Sequence, residues 1–264
     1  NFLLSWSPQY DQKSCAVAKT VQRYETRVAR EYRAKKFREL RALFDSMYLS
    51  EYEPRGSVME QVKFKQMKDG DKEDYVFLDD LEREYTKGTA DRILSAMVDL
   101  DKSLTGFQVT RLGHSLQSAT RAWYDGADED WIVGALLHDI GDIFAPHNHD
   151  EYAATILKPF VREQVCWCVQ THGDFQLVYF AQHVGANPNK RDVYVGNPYF
   201  DDCVEFCERW DQASFDPDYK NKPLEFFVDM VRDVFARPAY DENIIQKGVR
   251  KPLINTVLSE MRAE

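Results

Sequence analysis

The residues best suited to chemistry lie together at the end of an apolar stretch, in the run LLHDIGD at 136–142. Apolar residues lie three, four and seven positions before Asp139, so its carboxylate belongs to the buried stripe of a predicted helix. An ionised carboxylate on an apolar face is costly unless a cation or hydrogen bonds compensate its charge. Because His138 is its neighbour, a bound metal ion is the usual compensation. The sequence therefore indicates a metal site here.

Three further residues of ligand type lie on the apolar faces of other predicted helices. His172 closes one apolar stripe, His149 opens another, and Asp211 extends a third. One such residue alone is more often a hydrogen-bonded core side chain. Several together favour a metal centre, because buried imidazole and carboxylate groups need a shared positive charge.

His114 does not follow this pattern. Its neighbours at helical spacing are polar (Thr110, Arg111, Gln117 and Ser118), and the apolar stripe of the segment lies on another face. Periodicity alone therefore predicts an exposed side chain.

Composition narrows the classes of function. The chain has 264 residues and a formal charge of −10, which disfavours duplex DNA or an anionic membrane as a partner. We expect a small-molecule substrate and no nucleic-acid or membrane partner. No apolar run approaches the roughly 18 to 20 residues of a transmembrane helix. The five cysteines do not suggest a disulfide framework, so we expect a reducing compartment, the cytoplasm.

The periodic stretches have helical spacing and strand signals are nearly absent, so we predict an all-α fold. Residues 1–88 are predicted to form a helical N-terminal extension, and residues 89–264 a metal-binding core with C-terminal helices. We expect a charged connection after Gly70 and a loop at 186–197. Capping-box patterns at Ser57 and Asn148 predict helix starts, as does Asn197 before a proline. Predicted helices cover about 16–48, 57–69, 90–101, 107–124, 128 onward, 148–160, 161–172, 174–183, 197–213 and 224–236.

The order His114, His138-Asp139, His149, His172, Asp211 resembles the HD-domain superfamily of metal-dependent helical bundles. The closer resemblance is to its mixed-valent diiron oxygenase branch, which contains myo-inositol oxygenases and phosphonate oxygenases. Several strings carry it. One is DW at 130–131, which resembles that branch's Asp-Trp, and the others are HSLQSA at 114–119, GALLHDIG at 134–141 and HDEY at 149–152. These three resemble that branch's His-x-x-Gln-Thr-Ala, Gly-Leu-Leu-His-Asp-x-Gly and His-Asp-Glu-Tyr, and the resemblance covers about residues 95–215.

The resemblance implies a two-iron site, Fe(II)/Fe(III), with O2 as co-substrate. His114, His138 and Asp211 would hold one iron, His149 and His172 the other, and Asp139 would bridge them. Asp139, His149 and His172 would then be the catalytic residues around the more open iron. The implied reaction is oxidative cleavage of a C–C or C–P bond in a small hydroxylated molecule.

Departures from the inositol enzymes bear on the substrate. Asp142 and Phe215 stand where those enzymes have lysines, and Gly173 stands where they have serine, so myo-inositol is not the expected substrate. Asp142 is a candidate substrate contact, with a solvated loop carboxylate as the alternative, and Lys158 is a candidate cationic contact for an anionic substrate.

A metal-dependent phosphohydrolase or phosphodiesterase is the alternative function, since two-metal phosphodiesterases of the superfamily share the ligand order. The HDEY string favours the oxygenase, as does the lack of the lysine that often follows the His-Asp pair in the hydrolases.

Overall fold

The computed structural model describes residues 61–263, all within one compact unit, Ser57–Glu264. In this part of the chain the regular elements are helices and no strand is present, which confirms the all-α prediction. The predicted helix at 16–48 and the capping box at Ser57 lie outside the described residues, and the boundary after residue 88 stays a prediction. The α-helices are α1 Lys72–Lys87, α2 Thr89–Asp99, α3 Arg111–Tyr124, α4 Glu129–Leu137, α5 His149–Leu157, α6 Glu163–Val184, α7 Phe200–Phe206, α8 Val228–Phe235, α9 Glu242–Ile245 and α10 Thr256–Ala263.

Helix α4 lies at the centre of the bundle. It is buried from Asp130 to Leu137 and packs against α3, α6 and α8. Helix α5 packs along α6, and α7 also packs against α6. Because α4 has neighbours on several sides, it is apolar nearly all round rather than along one stripe.

Ion pairs of the buried Arg162 fix the beginning of α4. Asp128 caps the helix by accepting a hydrogen bond from the Trp131 amide. The Arg162 guanidinium, 2% exposed, donates to Asp128 at 2.7 Å, and the Arg162 amide donates to Asp130 at 2.9 Å. These bonds join the start of α4 to the start of α6, so the end of α4 reaches the core at a defined place.

Helix α1 occupies the segment that we expected to be a charged connection, so that expectation was wrong. Asp71 caps it in a capping box with Asp74. Ion pairs one turn apart, such as Lys87 to Glu84 at 2.6 Å, lie along its exposed face. Capping and such pairs stabilise a helix that has only a weak apolar stripe.

Helix α6 is continuous where two helices were predicted. The expected break at Gly173 is absent from α6, and a Cβ there would lie 2.9 Å from the Asp150 carboxylate. This glycine therefore serves close packing of α5 on α6 and does not end a helix. Helix α6 ends at Gly185 in the left-handed conformation, φ 70°, as predicted.

Several boundaries differ from the prediction. Helix α5 begins after Asn148 as expected, but the Asn148 side chain does not cap it. The predicted helix at 197–213 is α7 followed by a π-helical turn, Cys207–Asp211. The predicted loop at 186–197 contains a 3-10 turn, Lys190–Tyr194. Within the described part of 57–69, the regular element is a 3-10 turn, Met67–Asp69.

Among the helices of residues 61–263, none is both long and apolar enough to cross a membrane.

Candidate metal centre

Six side chains from five segments converge inside the bundle, and we call them the six-residue cluster. His138 and Asp139 follow α4, Asp211 ends the π-helical turn, and the remaining members come from the first turn of α3, the start of α5 and the middle of α6. Five of the six are at most 2% exposed, whereas the His149 side chain is 24% exposed. The members are His114, His138, Asp139, His149, His172 and Asp211.

The two oxygens of Asp139 face two different pairs of histidines. Asp139 Oδ2 lies 3.4 Å from His114 Nε2 and 3.7 Å from His138 Nε2. Asp139 Oδ1 lies 3.3 Å from His149 Nε2 and 3.4 Å from His172 Nε2. A carboxylate whose two oxygens face separate pairs of histidines has the arrangement needed to bridge two cations.

Asp211 belongs to the first of these pairs. Its Oδ1 lies 3.3 Å from His114 Nε2 and 3.6 Å from His138 Nε2, and no hydrogen bond from the described residues reaches it. Its other oxygen accepts a hydrogen bond from Gln176. We therefore distinguish a closed half of the cluster (His114, His138, Asp211) from an open half (His149, His172), with Asp139 shared between them.

Backbone carbonyls fix the histidine tautomers. Nδ1 lies 3.1 Å from the Ser214 carbonyl in His114, 2.8 Å from the Ala135 carbonyl in His138 and 2.6 Å from the Val169 carbonyl in His172. Because a carbonyl oxygen only accepts, each Nδ1 carries the hydrogen, and a neutral ring then has its lone pair on Nε2.

These lone pairs point at one another. The Nε2 atoms of His114 and His138 are 3.0 Å apart, with oxygens of Asp139 and Asp211 beside them. Lone pairs and carboxylates so close repel unless a cation lies between them. The cluster therefore fits a metal ion, and imidazole with carboxylate is a donor set that suits a first-row transition metal such as iron.

The shifted pKa values have the same cause. Burial by itself lowers the pKa of His172, but its hydrogen bond to Asp139 and the charges of Asp211 and Asp139 raise that pKa to about 10. Despite burial, the neighbouring histidines hold the pKa values of Asp139 and Asp211 below the usual range. Positive charge among these carboxylates is thus favoured, whether carried by protons or by metal ions.

The expectation that His114 is exposed was wrong, since its side chain is fully buried. Two of its polar neighbours, Gln117 and Ser118, are buried with it under the segment after α7. Gln117 donates to the Asp216 carbonyl at 2.7 Å, and Ser118 donates to the Trp210 carbonyl at 3.2 Å. Backbone carbonyls thus cover this part of the polar face of α3, and its side chains supply the hydrogen-bond donors that those carbonyls need.

Arg111, which the sequence reasoning did not select, contacts the cluster from α3. Its Nη1 donates to Asp139 Oδ2 at 3.2 Å, and its Nε lies 2.9 Å from Asp142 Oδ2. Its position one turn before His114 was the available signal. Gln176, one turn after His172, was missed in the same way.

The two candidate substrate contacts lie in different places. Asp142 lies beside the open half, with Oδ1 3.8 Å from His149 Nδ1. Lys158 is exposed at the end of α5 and lines a separate cavity of about 1000 Å³ with Trp167 and Tyr240. No member of the six-residue cluster lines that cavity, so the structure does not bring Lys158 to the cluster.

Gly141 explains how the His-Asp turn meets α5. A Cβ at this position would lie 2.3 Å from the His149 carbonyl oxygen and 2.5 Å from its Cα. The turn Ile140–Ile143 therefore packs directly on the backbone of His149, which places that ring beside Asp139.

Comparison with known proteins finds two similarities. Residues 107–195 match the HD domain, a segment that contains five of the six cluster residues. A [1-hydroxy-2-(trimethylamino)ethyl]phosphonate dioxygenase (glycine-betaine-forming) from Leisingera caerulea is 37% identical over 83 residues, which cover 27% of this chain and 42% of that protein. The chain thus matches less than half the length of this relative.

Proposed function

We propose that this chain, which matches the HD domain over residues 107–195 and resembles a phosphonate dioxygenase over 83 residues, belongs with the oxygenase-like branch of that superfamily and is a diiron oxygenase. In this proposal the six-residue cluster holds two iron ions, and the enzyme uses O2 to oxidise a small hydroxylated substrate. One observation carries the proposal: the two oxygens of Asp139 face separate histidine pairs, at 3.4 and 3.7 Å on one side and 3.3 and 3.4 Å on the other.

The unequal number of donors supports a division of roles. The closed half offers three side chains beside the shared Asp139, whereas the open half offers His149 and His172. A metal site with fewer protein donors keeps positions for substrate and O2. We therefore assign Asp139, His149 and His172 as the catalytic residues. Iron, when bound, would supply the one-electron chemistry that reaction with O2 requires.

Charge favours an anionic substrate. Two iron ions carry more positive charge than the carboxylates of Asp139 and Asp211 neutralise. Beside the open half, Asp142 is compensated by Arg111 at 2.9 Å. A phosphonate is such an anion, and the Leisingera relative is named for acting on a 1-hydroxyphosphonate. For that class the reaction balances as R–CH(OH)–PO3H2 + O2 giving R–COOH + H3PO4, with cleavage of the C–P bond.

Phe215, which stands where the inositol enzymes have a lysine, also argues against a polyol such as inositol. Phe215 is stacked on the ring of His114, with centroids 4.3 Å apart, and on Phe107 at 5.0 Å. An apolar stack beside the cluster does not provide the hydrogen bonds that a ring of hydroxyl groups needs.

The decisive experiment combines metal analysis with a measurement of O2 consumption. Protein is expressed aerobically, its iron is quantified, and EPR and Mössbauer spectra are recorded after partial reduction. We expect a coupled Fe(II)/Fe(III) signal that 1-hydroxyethylphosphonate perturbs, and one O2 consumed for each phosphate released. The matched control is His149→Ala, which removes one donor from the open half.

The alternative function gives a different result in the same assay. Phosphate released from phosphoesters under anaerobic conditions, with Mn, Mg or Zn and without O2 uptake, would assign the cluster to a phosphohydrolase.

A further inference from the structure

The four histidines of the cluster differ in what fixes the ring. His138 and His172 each face the carbonyl three residues earlier, Ala135 at 2.8 Å and Val169 at 2.6 Å. This arrangement requires a preceding helical turn. His149 is the first residue of α5 and has no such turn.

No hydrogen bond to a backbone carbonyl forms at the His149 ring within residues 61–263. Instead Nδ1 faces Asp142 Oδ1 at 3.8 Å. The His149 side chain is 24% exposed, so the core confines this ring less than it confines the fully buried rings of the other three cluster histidines.

Asp142 forms an ion pair with Arg111. Arg111 Nε lies 2.9 Å from Asp142 Oδ2, and Arg111 Nη1 donates to Asp139 Oδ2 at 3.2 Å. The guanidinium also lies over the ring of Phe107, 4.9 Å from its centroid. Arg111 thus links the carboxylate that faces His149 to the carboxylate shared by both halves.

We infer that Asp142 is the positioning residue of the open half: it accepts the Nδ1 hydrogen of His149 and directs the Nε2 lone pair at the metal, while Arg111 holds Asp142. This role differs from the substrate contact suggested by sequence, and it rests on the proposed metal centre. An anionic partner makes an imidazole a stronger donor than a carbonyl partner does. Within the open half, His149 is therefore tuned by a side chain, whereas His172 and both histidines of the closed half are fixed by backbone carbonyls.

The test measures metal affinity rather than turnover. Metal-free protein is titrated with Co(II) in competition with a chromophoric chelator, for the wild type, Asp142→Asn and Asp142→Leu. Loss of such a partner lowers affinity about 10- to 100-fold. We expect about 100-fold weaker binding of one Co(II) in D142L, about 10-fold in D142N, and unchanged binding of the other ion in both variants.

Two controls separate positioning from general effects. Asp150→Asn removes a carboxylate adjacent to His149 in the chain whose Oδ1 instead accepts from the Glu151 amide at 2.8 Å, and we expect wild-type affinities. In a His149→Ala background, D142L should cause no further loss, because the partner it orients is gone.

The outcomes are distinguishable. A wild type that binds fewer than two ions overturns the proposed centre, and the inference with it. If the wild type binds two ions and both Asp142 variants bind them with affinities within about twofold of wild type, the inference about Asp142 is overturned and the proposed metal centre stands. Should D142L fail to fold, D142N decides the matter, because it keeps the size of the side chain and removes the charge.

Discussion

The closed and open halves of the cluster use the same kinds of ligand but are built differently. In the closed half the ligands are fully buried, backbone carbonyls fix both rings, and Gln176 binds Asp211. In the open half His149 begins a helix, is partly exposed, and faces a side chain. In the proposed centre, burial and backbone support would hold the ion of the closed half firmly, whereas a ligand at a helix end would leave room for substrate at the open half.

Metal removal should produce the largest change. The closed half holds buried carboxylates and opposed lone pairs, so the metal-loaded fold should be much more stable than the metal-free fold. A ligand present at about a thousand times its Kd adds about 4 kcal/mol, which corresponds to about 10 °C in Tm for a domain of this size. Calorimetry with and without a chelator measures this shift. If the Tm were the same with and without the chelator, the stability of the two halves would not depend on metal.

The next prediction compares the effect on stability of removing one histidine from each half. His138→Ala should cost about 3–5 kcal/mol in urea unfolding, because it leaves buried carboxylates without a partner. His149→Ala should cost less than about 1 kcal/mol, because its side chain is partly exposed, and circular dichroism should show the helices intact. Both variants should lose O2 consumption. Full activity in His149→Ala would remove it from the ligand set.

Arg162→Met is the control for the effect on stability. Arg162 is as buried as the ligands but pairs with Asp128 and Asp130 at the start of α4. We expect a comparable loss in the free energy of unfolding with iron content unchanged. Loss of iron in this variant would show that the iron content follows stability in general.

Gly141→Ala should act on the open half with a smaller effect on stability. The added methyl group meets the backbone of His149 at 2.3 Å, so α5 must shift at a cost of about 1–3 kcal/mol. Binding of one metal ion should weaken while the other ion stays. Gly113→Ala, beside His114, is the matched control, because its Cβ would have no neighbour closer than 3.4 Å. Equal metal affinities in the two variants would contradict the assigned role of Gly141.

Some parts of the site could be predicted from the sequence and others could not. The end of α4 and the buried positions of Asp139, His172 and Asp211 follow from apolar spacing, which records burial along one helix. His114 could not be placed in this way, because the cover over it comes from the segment after the π-helical turn, about a hundred residues later. The continuity of α6 through Gly173 likewise depends on Asp150 of another helix.

The division of the cluster into two halves could not be predicted from the sequence, for a related reason. Which oxygen of Asp139 faces which histidine depends on the angles at which four helices meet. The contact from Arg111 depends on the 3-10 turn that carries Asp142. Spacing along one helix contains no information about either.

The smallest expected effect concerns Phe215, whose ring is stacked on His114 at an angle of 23°. Phe215→Leu keeps most of the apolar volume but loses the stacking, which is worth about 0.5–1.5 kcal/mol. Because the Ser214 carbonyl still fixes His114, we expect the affinity of the closed half for metal to fall by less than about tenfold. Phe226→Leu is the matched control, since Phe226 contacts Trp123 edge-on at 5.2 Å, away from the cluster. Both variants should lose a similar free energy of unfolding, and metal binding should change in Phe215→Leu alone. A drop of more than a hundredfold would mean that the aromatic stack, rather than the backbone, holds the closed half in place.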